Sequence, residues 1–325
     1  MTGKPRVACA AWIPRELAQI VVSATSLAFA VAARPGFAAE GATSFYILGL
    51  HGPLAAVAAP PGVYFQNDAY IYGGQVSRSE NLPFAGRVTA GAKADVYLDL
   101  PTLLWQTPWQ IAGASIGVTV TQPVGAEYVV GRIIAGGYEL TEQGTRTSVG
   151  DLAVSLPVSW TLNRLHLSMT PSVNIPSGNY NANALSNVAL HRWAEDLSLA
   201  ATWLDTTTGL EASAIAGVTL NGRNHATNYR TGTELHAELA VSQYFSKAFS
   251  VGLIGGYLQQ VTSDTGQGAI LGDFKGRVYA AGGMASYSVP IGNRDVLVRA
   301  KILREFNVQN RLSGTAGIFS IALKL

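Results

Sequence analysis

Apolar and polar residues alternate with period two along most of the chain. From Leu165 to Ile175 the odd positions are Leu165, Leu167, Met169, Pro171, Val173 and Ile175. The even ones are His166, Ser168, Thr170, Ser172 and Asn174. Leu210, Ala212, Ala214, Ala216, Val218 and Leu220 stand opposite Glu211, Ser213, Gly217 and Thr219, and Leu235, Ala237, Leu239 and Val241 stand opposite His236, Glu238, Ala240 and Ser242. Such runs predict β-strands with one greasy face and one polar or small face. Twelve strands are expected, at 63–76, 90–103, 110–122, 149–161, 164–176, 191–205, 209–221, 233–245, 249–262, 275–289, 294–307 and 312–325. The first and tenth alternate poorly, which leaves their facing open.

A secreted β-sandwich would alternate too, but two features favour a membrane barrel. The runs last about 10–14 residues, against about 5–6 for a soluble strand, a length suited to a tilted bilayer crossing. The connections also alternate in length. Gln106 to Trp109, Leu162-Asn163, Asp205 to Thr208, Ser246 to Ala248 and Pro290 to Asn293 are short. Ser77 to Val88, Pro123 to Ser148, Ser177 to Leu190, Gly222 to Gly232 and Ser263 to Phe274 are longer and polar. An even strand count with short turns on one rim and long loops on the other describes an all-β, antiparallel up-and-down outer-membrane barrel. Closure removes the bare edges that lipid cannot hydrogen-bond. Trp105, Trp109, Trp160, Trp193, Trp203, Phe245 and Phe249 lie near strand ends, where aromatic girdles meet headgroups. The closing alternation Phe319, Ile321, Leu323, Leu325 resembles the terminal signal read by barrel-assembly machinery, with Leu in place of the usual aromatic.

Composition strengthens this reading. The 325 residues are 48% apolar and 13% charged, with 35 glycines, and the mean hydropathy is +0.21. Past the N-terminal leader no stretch of about 18 apolar residues could cross a bilayer as a helix. The leader itself has a basic start (Lys4, Arg6, Arg15), an apolar core from Leu17 to Ala33, and small residues before an expected cleavage after Ala38. It holds four of the 22 basic residues and one of the 20 acidic ones, so the remainder carries 18 against 19. A nucleic-acid partner thereby loses its support. The sole cysteine, Cys9, departs with the leader. The expected organisation is 1–38 signal peptide, 39–61 periplasmic or lumen segment, and 62–325 barrel, located in the bacterial outer membrane.

If apolar positions face lipid, Asp95, Asp99, His166, Asp196, Glu211, His236, Glu238, Arg299, Lys301, Glu305 and Lys324 face the lumen, because a basic residue on the lipid face at mid-depth costs about 2–4 kcal/mol. Most would pair as salt bridges that hold the shape of a narrow bore, and some could form a transverse field. Ahead of the first strand, Phe45 to Leu50 and Leu54 to Ala59 are apolar and rich in small residues, too short for a crossing, and suited to a plug. Phe45, Tyr46, Tyr64, Tyr70 and Tyr72 are candidate solute contacts. No HExxH, GxSxG, Walker or EF-hand spacing accompanies His51, His166, His191, His225 and His236. The glycines 266, 268 and 272 precede no helix, so a phosphate cradle is unsupported. Neither an enzyme nor a cofactor or metal is expected.

Several blocks carry a family resemblance. They are Pro60-Pro61-Gly62-Val63-Tyr64-Phe65-Gln66-Asn67, Gly150-Asp151-Leu152 through Leu156-Pro157-Val158-Ser159-Trp160, Ile175-Pro176-Ser177-Gly178-Asn179-Tyr180, Asn187 to Trp193, Gly255 to Thr262 with Asp264 and Gly266, Arg277-Val278-Tyr279-Ala280, and Arg304-Glu305-Phe306. In this order, from about Ser44 to Leu325, they resemble the MetA-pathway phenol-degradation proteins. Gly282-Gly283-Met284 and Val124 to Thr147 depart from that pattern. The resemblance implies an outer-membrane channel of a family found beside aromatic degradation and including a sphingosine-induced porin. Its partners would be small hydrophobic or aromatic molecules, outer-membrane lipid and lipopolysaccharide. The alternatives are a structural or ligand-binding barrel acting through its long loops, a general porin and, last, a lipid hydrolase.

Overall fold

The structure, a computed structural model, describes residues 40–325 apart from 85–86, 136–137, 270–274 and 293. The leader and its cleavage point lie outside the described residues. After a single 3-10 turn at Glu40–Ala42 the chain is built of strands: β1 (Gly62–Phe84), β2 (Arg87–Ile111), β3 (Ala114–Thr121, continued as Val124–Ala135), β4 (Tyr138–Val149, continued as Leu152–Ser155 and Val158–Leu162), β5 (Leu165–Ile175), β6 (Ala194–Asp205), β7 (Leu210–Asn221), β8 (Glu234–Tyr244), β9 (Phe249–Gln260), β10 (Arg277–Ile291), β11 (Arg294–Gln309) and β12 (Ser313–Lys324). Each pairs antiparallel with its neighbours in the sequence, and β12 returns to β1 from Tyr64↔Lys324 to Gln75↔Ser313, closing a barrel of twelve strands. No helix among the described residues is long and apolar enough to cross a membrane.

The breaks within β3 and β4 have a chemical cause. Thr102↔Thr121 and Asp99↔Val124 share one register on either side of Gln122-Pro123. Pro123 and Pro157 have no N–H to give, so they interrupt the ladder; toward β4 the register moves by one residue across the first break, from Thr121↔Ala153 to Val124↔Val149.

The barrel is inside-out relative to a water-soluble sheet. On β8, Glu234, His236, Glu238 and Ser242 are buried while Leu235, Leu239 and Val241 are exposed. The outer wall also shows Leu253, 72% exposed, and Ile302, 61% exposed, a loss that only hydrocarbon would relieve. The facing of β1 and β10 is settled as well. Asp68 and Tyr72 point inward and Ile71 outward, while Val278, Ala280, Met284 and Ser286 point inward and Tyr287 outward. At the rim of the short turns Trp105 and Trp109 meet edge-on with centroids 5.4 Å apart, and Phe245 stacks on Phe249 at 5.9 Å. Trp193 is exposed at the opposite rim.

Two expected loops are strands. The segments expected to join the first two and the third and fourth strands are mostly continuations of β1 and β2 and of β3 and β4. Their β-branched and aromatic residues, such as Thr141, Thr145 and Thr147, favour extended pairing beyond the membrane. β5 stops at Ile175, so Tyr138–Val149 has a strand on one side only. The following loop closes against it, with the Asn179 N–H donating to the Val149 carbonyl at 3.0 Å and Arg146 to the Asn179 amide oxygen at 2.7 Å.

Candidate pore and the segment that fills it

Residues 40–61 run along the lumen from the long-loop rim to the short-turn rim. At the outer end the Glu40 carboxylate accepts from Asn224 at 3.1 Å and from the Tyr180 hydroxyl at 3.4 Å, both on long loops. Burial raises the pKa of Glu40, against the lowering effect of these donors and of Arg192. Arg192 donates to the Thr43 carbonyl at 3.3 Å. Ser44 donates to Glu234 and accepts from Arg311. At the inner end Tyr64 donates to the Pro60 carbonyl at 2.7 Å and Lys324 to the Pro61 carbonyl at 2.8 Å.

Between these ends the segment has no strand partner, so its backbone groups need side chains. One wall supplies acceptors. Gly49 N–H donates to Glu238 at 2.8 Å, Leu54 N–H to Glu211 at 3.0 Å, and Ala56 N–H to the Thr202 hydroxyl at 3.1 Å. The facing wall supplies a donor. The Lys301 ammonium, on β11, reaches the carbonyls of Gly49 at 2.6 Å and Leu50 at 2.7 Å, and that of His51. Tyr46 stacks on His236 with centroids 3.5 Å apart and on His51 at 5.4 Å. The His236 Nε2 lies 2.8 Å from Asp196, whose carboxylate also accepts from Thr219 and Ser198, each at 2.7 Å. Leu48 and Leu50 pack with Tyr70 against Ile254, Ala280, Leu303 and Ile318. Gly49 is required there. Its φ is +89°, and a Cβ would sit 2.8 Å from Leu303 Cδ1.

The sequence-predicted residues therefore divide. Tyr46, Asp196, His236, Glu238 and Lys301 converge on the middle of the filling segment. Tyr70 and Tyr72 lie parallel at 6.3 Å, and Tyr72 donates to Glu305 at 2.8 Å. Tyr64 and Lys324 sit together at the inner rim. Arg299 faces inward in the row of Ser286, Ser320 and Asp68. Phe45 is half-buried beside Tyr46 in the chain.

Asp95 and Asp99 do not face the lumen. In register they stand beside Gly73 and Ala69 on the outward face, while Ala92, Ala94 and Leu100 are buried inside. Asp95 pairs with Lys93 at 2.9 Å, and Asp99 accepts from Asn67 at 3.0 Å. The interior is apolar there because Ala92, Ala94, Tyr72, Val129 and Leu312 pack on Leu185 from the loop after β5. Glu40, Arg192, Glu234 and Thr202 were missed as contacts of the segment. Glu234 falls in the same even-numbered set as His236 and Glu238, a signal present in the alternation. The others depend on where the segment threads, which no local pattern encodes.

A family model described as "Putative MetA-pathway of phenol degradation" matches residues 77–321. The chain belongs to this family. No curated protein matches it in sequence. Among solved structures, it is similar to the COG4313 outer membrane channel from Pseudomonas putida F1, at 16% identity and a TM-score of 0.66, over 83% of this chain and 98% of that one. The fold is thus that of an outer-membrane β-barrel. Weaker likenesses are the Pseudomonas putida toluene transporter TodX (10% identity, TM-score 0.42, 89% and 98% covered) and a Pseudomonas aeruginosa FadL homologue (10% identity, TM-score 0.39, 84% and 92% covered).

Proposed function

We propose that this barrel is an outer-membrane channel through which small hydrophobic or aromatic compounds enter the cell, with residues 40–61 as its movable filling. The observation that carries the reading is the way this segment is held. It is an apolar stretch fastened by side-chain hydrogen bonds instead of strand pairing, so it can leave without breaking the barrel. A path vacated by it would be lined by Tyr70, Ile254, Leu303 and Ile318 beside polar groups that could orient a solute. The family's description names phenol degradation, which favours the aromatic class. Lipopolysaccharide resists greasy solutes, so a shielded path would speed their crossing. The leader would direct export, and barrel-assembly machinery would insert the chain.

The test is initial uptake of a labelled aromatic, such as 2-naphthol, by cells with an intact outer membrane, with and without this chain. A sugar of similar size is the control. Aromatic uptake that rises alone is the expected result. A rise in both identifies a general pore, and a rise in neither overturns transport and turns attention to the outer loops.

A further inference from the structure

Where Leu54 nears the short-turn rim, the filling leaves a cavity of about 490 Å³ between itself and the β6–β7 and β8–β9 turns. We propose that this cavity is a binding site for a one- or two-ring aromatic bearing a hydroxyl, the last station before release into the periplasm. This deepens the channel reading and rests on it.

Three observations carry the assignment. First, the cavity is preformed. Tyr244 N–H donates to the Gly209 carbonyl at 2.7 Å and Gln243 to the Thr208 carbonyl at 2.8 Å, locking the two turns together. Gly209, at φ +73°, could carry no side chain, since a Cβ would meet the Tyr244 carbonyl oxygen at 2.2 Å. The volume lies in the usual range of small-ligand sites, roughly 300–1,000 Å³.

Second, the lining matches one chemistry. Leu54, Leu204, Tyr244 and Phe245 offer apolar and aromatic surface, while the threonines of the β6–β7 turn and Lys247 offer hydroxyls and a cation. A flat apolar ring with one oxygen substituent satisfies both parts. A sugar would leave most of its hydroxyls against carbon.

Third, the cavity is coupled to the filling. Leu54 is held at φ +61°, a conformation that leucine rarely adopts, by the Glu211 carboxylate on its N–H. Strain of this kind persists only where the surroundings impose it, and it sits on a residue of the cavity's lining. Movement of Leu54 would therefore reshape the cavity.

The test uses the full chain in a Cys9→Ser background, so that an introduced cysteine is the only thiol. Thr206→Cys places that thiol at the cavity, and Arg294→Cys places one on a different turn of the same rim. Modification by a sulfonated thiol reagent is timed with and without 2-naphthol. The rate at Thr206→Cys should fall by a factor of 1 + [L]/Kd, roughly fivefold with the probe at about four times its Kd. Arg294→Cys should be unaffected. Leu54→Trp, which fills the cavity, should abolish the protection. Phe245→Ala, an exposed turn change, should weaken it if the tryptophan variant fails to fold. Equal protection of both thiols, or none at either, overturns the site. If uptake of 2-naphthol by cells is nevertheless present, the channel reading stands without it. Protection at Thr206→Cys without uptake supports the site and overturns transport.

Discussion

On β7 and β8 the carboxylates Glu211, Glu234 and Glu238 are buried inside while Leu235, Leu239 and Val241 face out. On the outer half of β2 the order reverses, with Ala92, Ala94 and Leu100 inside and Lys93, Asp95 and Asp99 outside. The change happens within one strand, since Leu103 and Trp105 on the same outward face are apolar. Polarity in this protein follows the medium each face meets. On β7 and β8, where lipid lies outside, polar side chains go in and hold a threaded segment. Where the wall rises past the lipid, it is an ordinary sheet with an apolar interior closed by Leu185.

The sharpest way to break this comparison is to put the same charge on both regions. Leu239→Arg, on the lipid-facing wall, should cost about 2–4 kcal/mol of folding stability in phospholipid vesicles. Tyr97→Arg, beside Asp95 and Asp99, should stay within about 0.5 kcal/mol. Equal losses by urea titration would mean that both walls face the same medium.

The outer loops offer an effect of up to a few kcal/mol. Asp264, in the loop after β9, accepts from the Gly232 N–H at 2.8 Å, from Gln260 at 2.7 Å and from the Tyr229 hydroxyl. Burial dominates and raises its pKa to about 6 from 3.8. Because the folded value lies above the unfolded one, its contribution is full below about pH 4 and is lost as pH rises through about 6. Hydrogen exchange around Gly232 should therefore quicken between these values, and Asp264→Asn should remove the pH dependence. An unchanged profile in that variant would assign the effect elsewhere.

Lys301→Met removes the donor shared by three carbonyls of the filling, at an expected cost of about 1–3 kcal/mol. The cost should fall on the segment and spare the wall. Proteolysis within residues 45–59 and single-channel conductance should both rise while barrel heat-resistance on gels is kept. Conductance that stays at the wild-type value would separate the segment from the path. The smallest effect belongs to Asp95→Asn, whose partner Lys93 is exposed; the urea midpoint should barely move, and added salt should erase any difference.

Much of the wall was legible in advance. Period-two alternation at 165–175, 210–220 and 235–242 placed strands, facing and short turns, because lipid on one side enforces a strict pattern. Asp95 and Asp99 were misplaced by the same rule. It assumes one medium along the whole strand, and β2 passes through two. The hairpin around Val124–Val149 has no greasy outer face to mark it in the sequence, because its outer wall lies beyond the lipid, and only its inward side, at Val129, is buried. Tyr46, Asp196, His236, Glu238 and Lys301 could be chosen as inward side chains, but their convergence on Gly49, Leu50 and His51 could not. It arises from a tertiary path through the ring.

The filling is joined to the wall at Gly62, and that tether sets a number. A released segment remains at an effective concentration in the millimolar range. Its contacts, if worth only the roughly 4 kcal/mol of a millimolar complex, would still close the path about half the time. Small changes in a single fastening, such as the ammonium of Lys301, would then move the ratio of open to closed several-fold. Occupancy of the bore is in this sense a tunable equilibrium, adjusted within one chain and independent of how many copies the membrane holds.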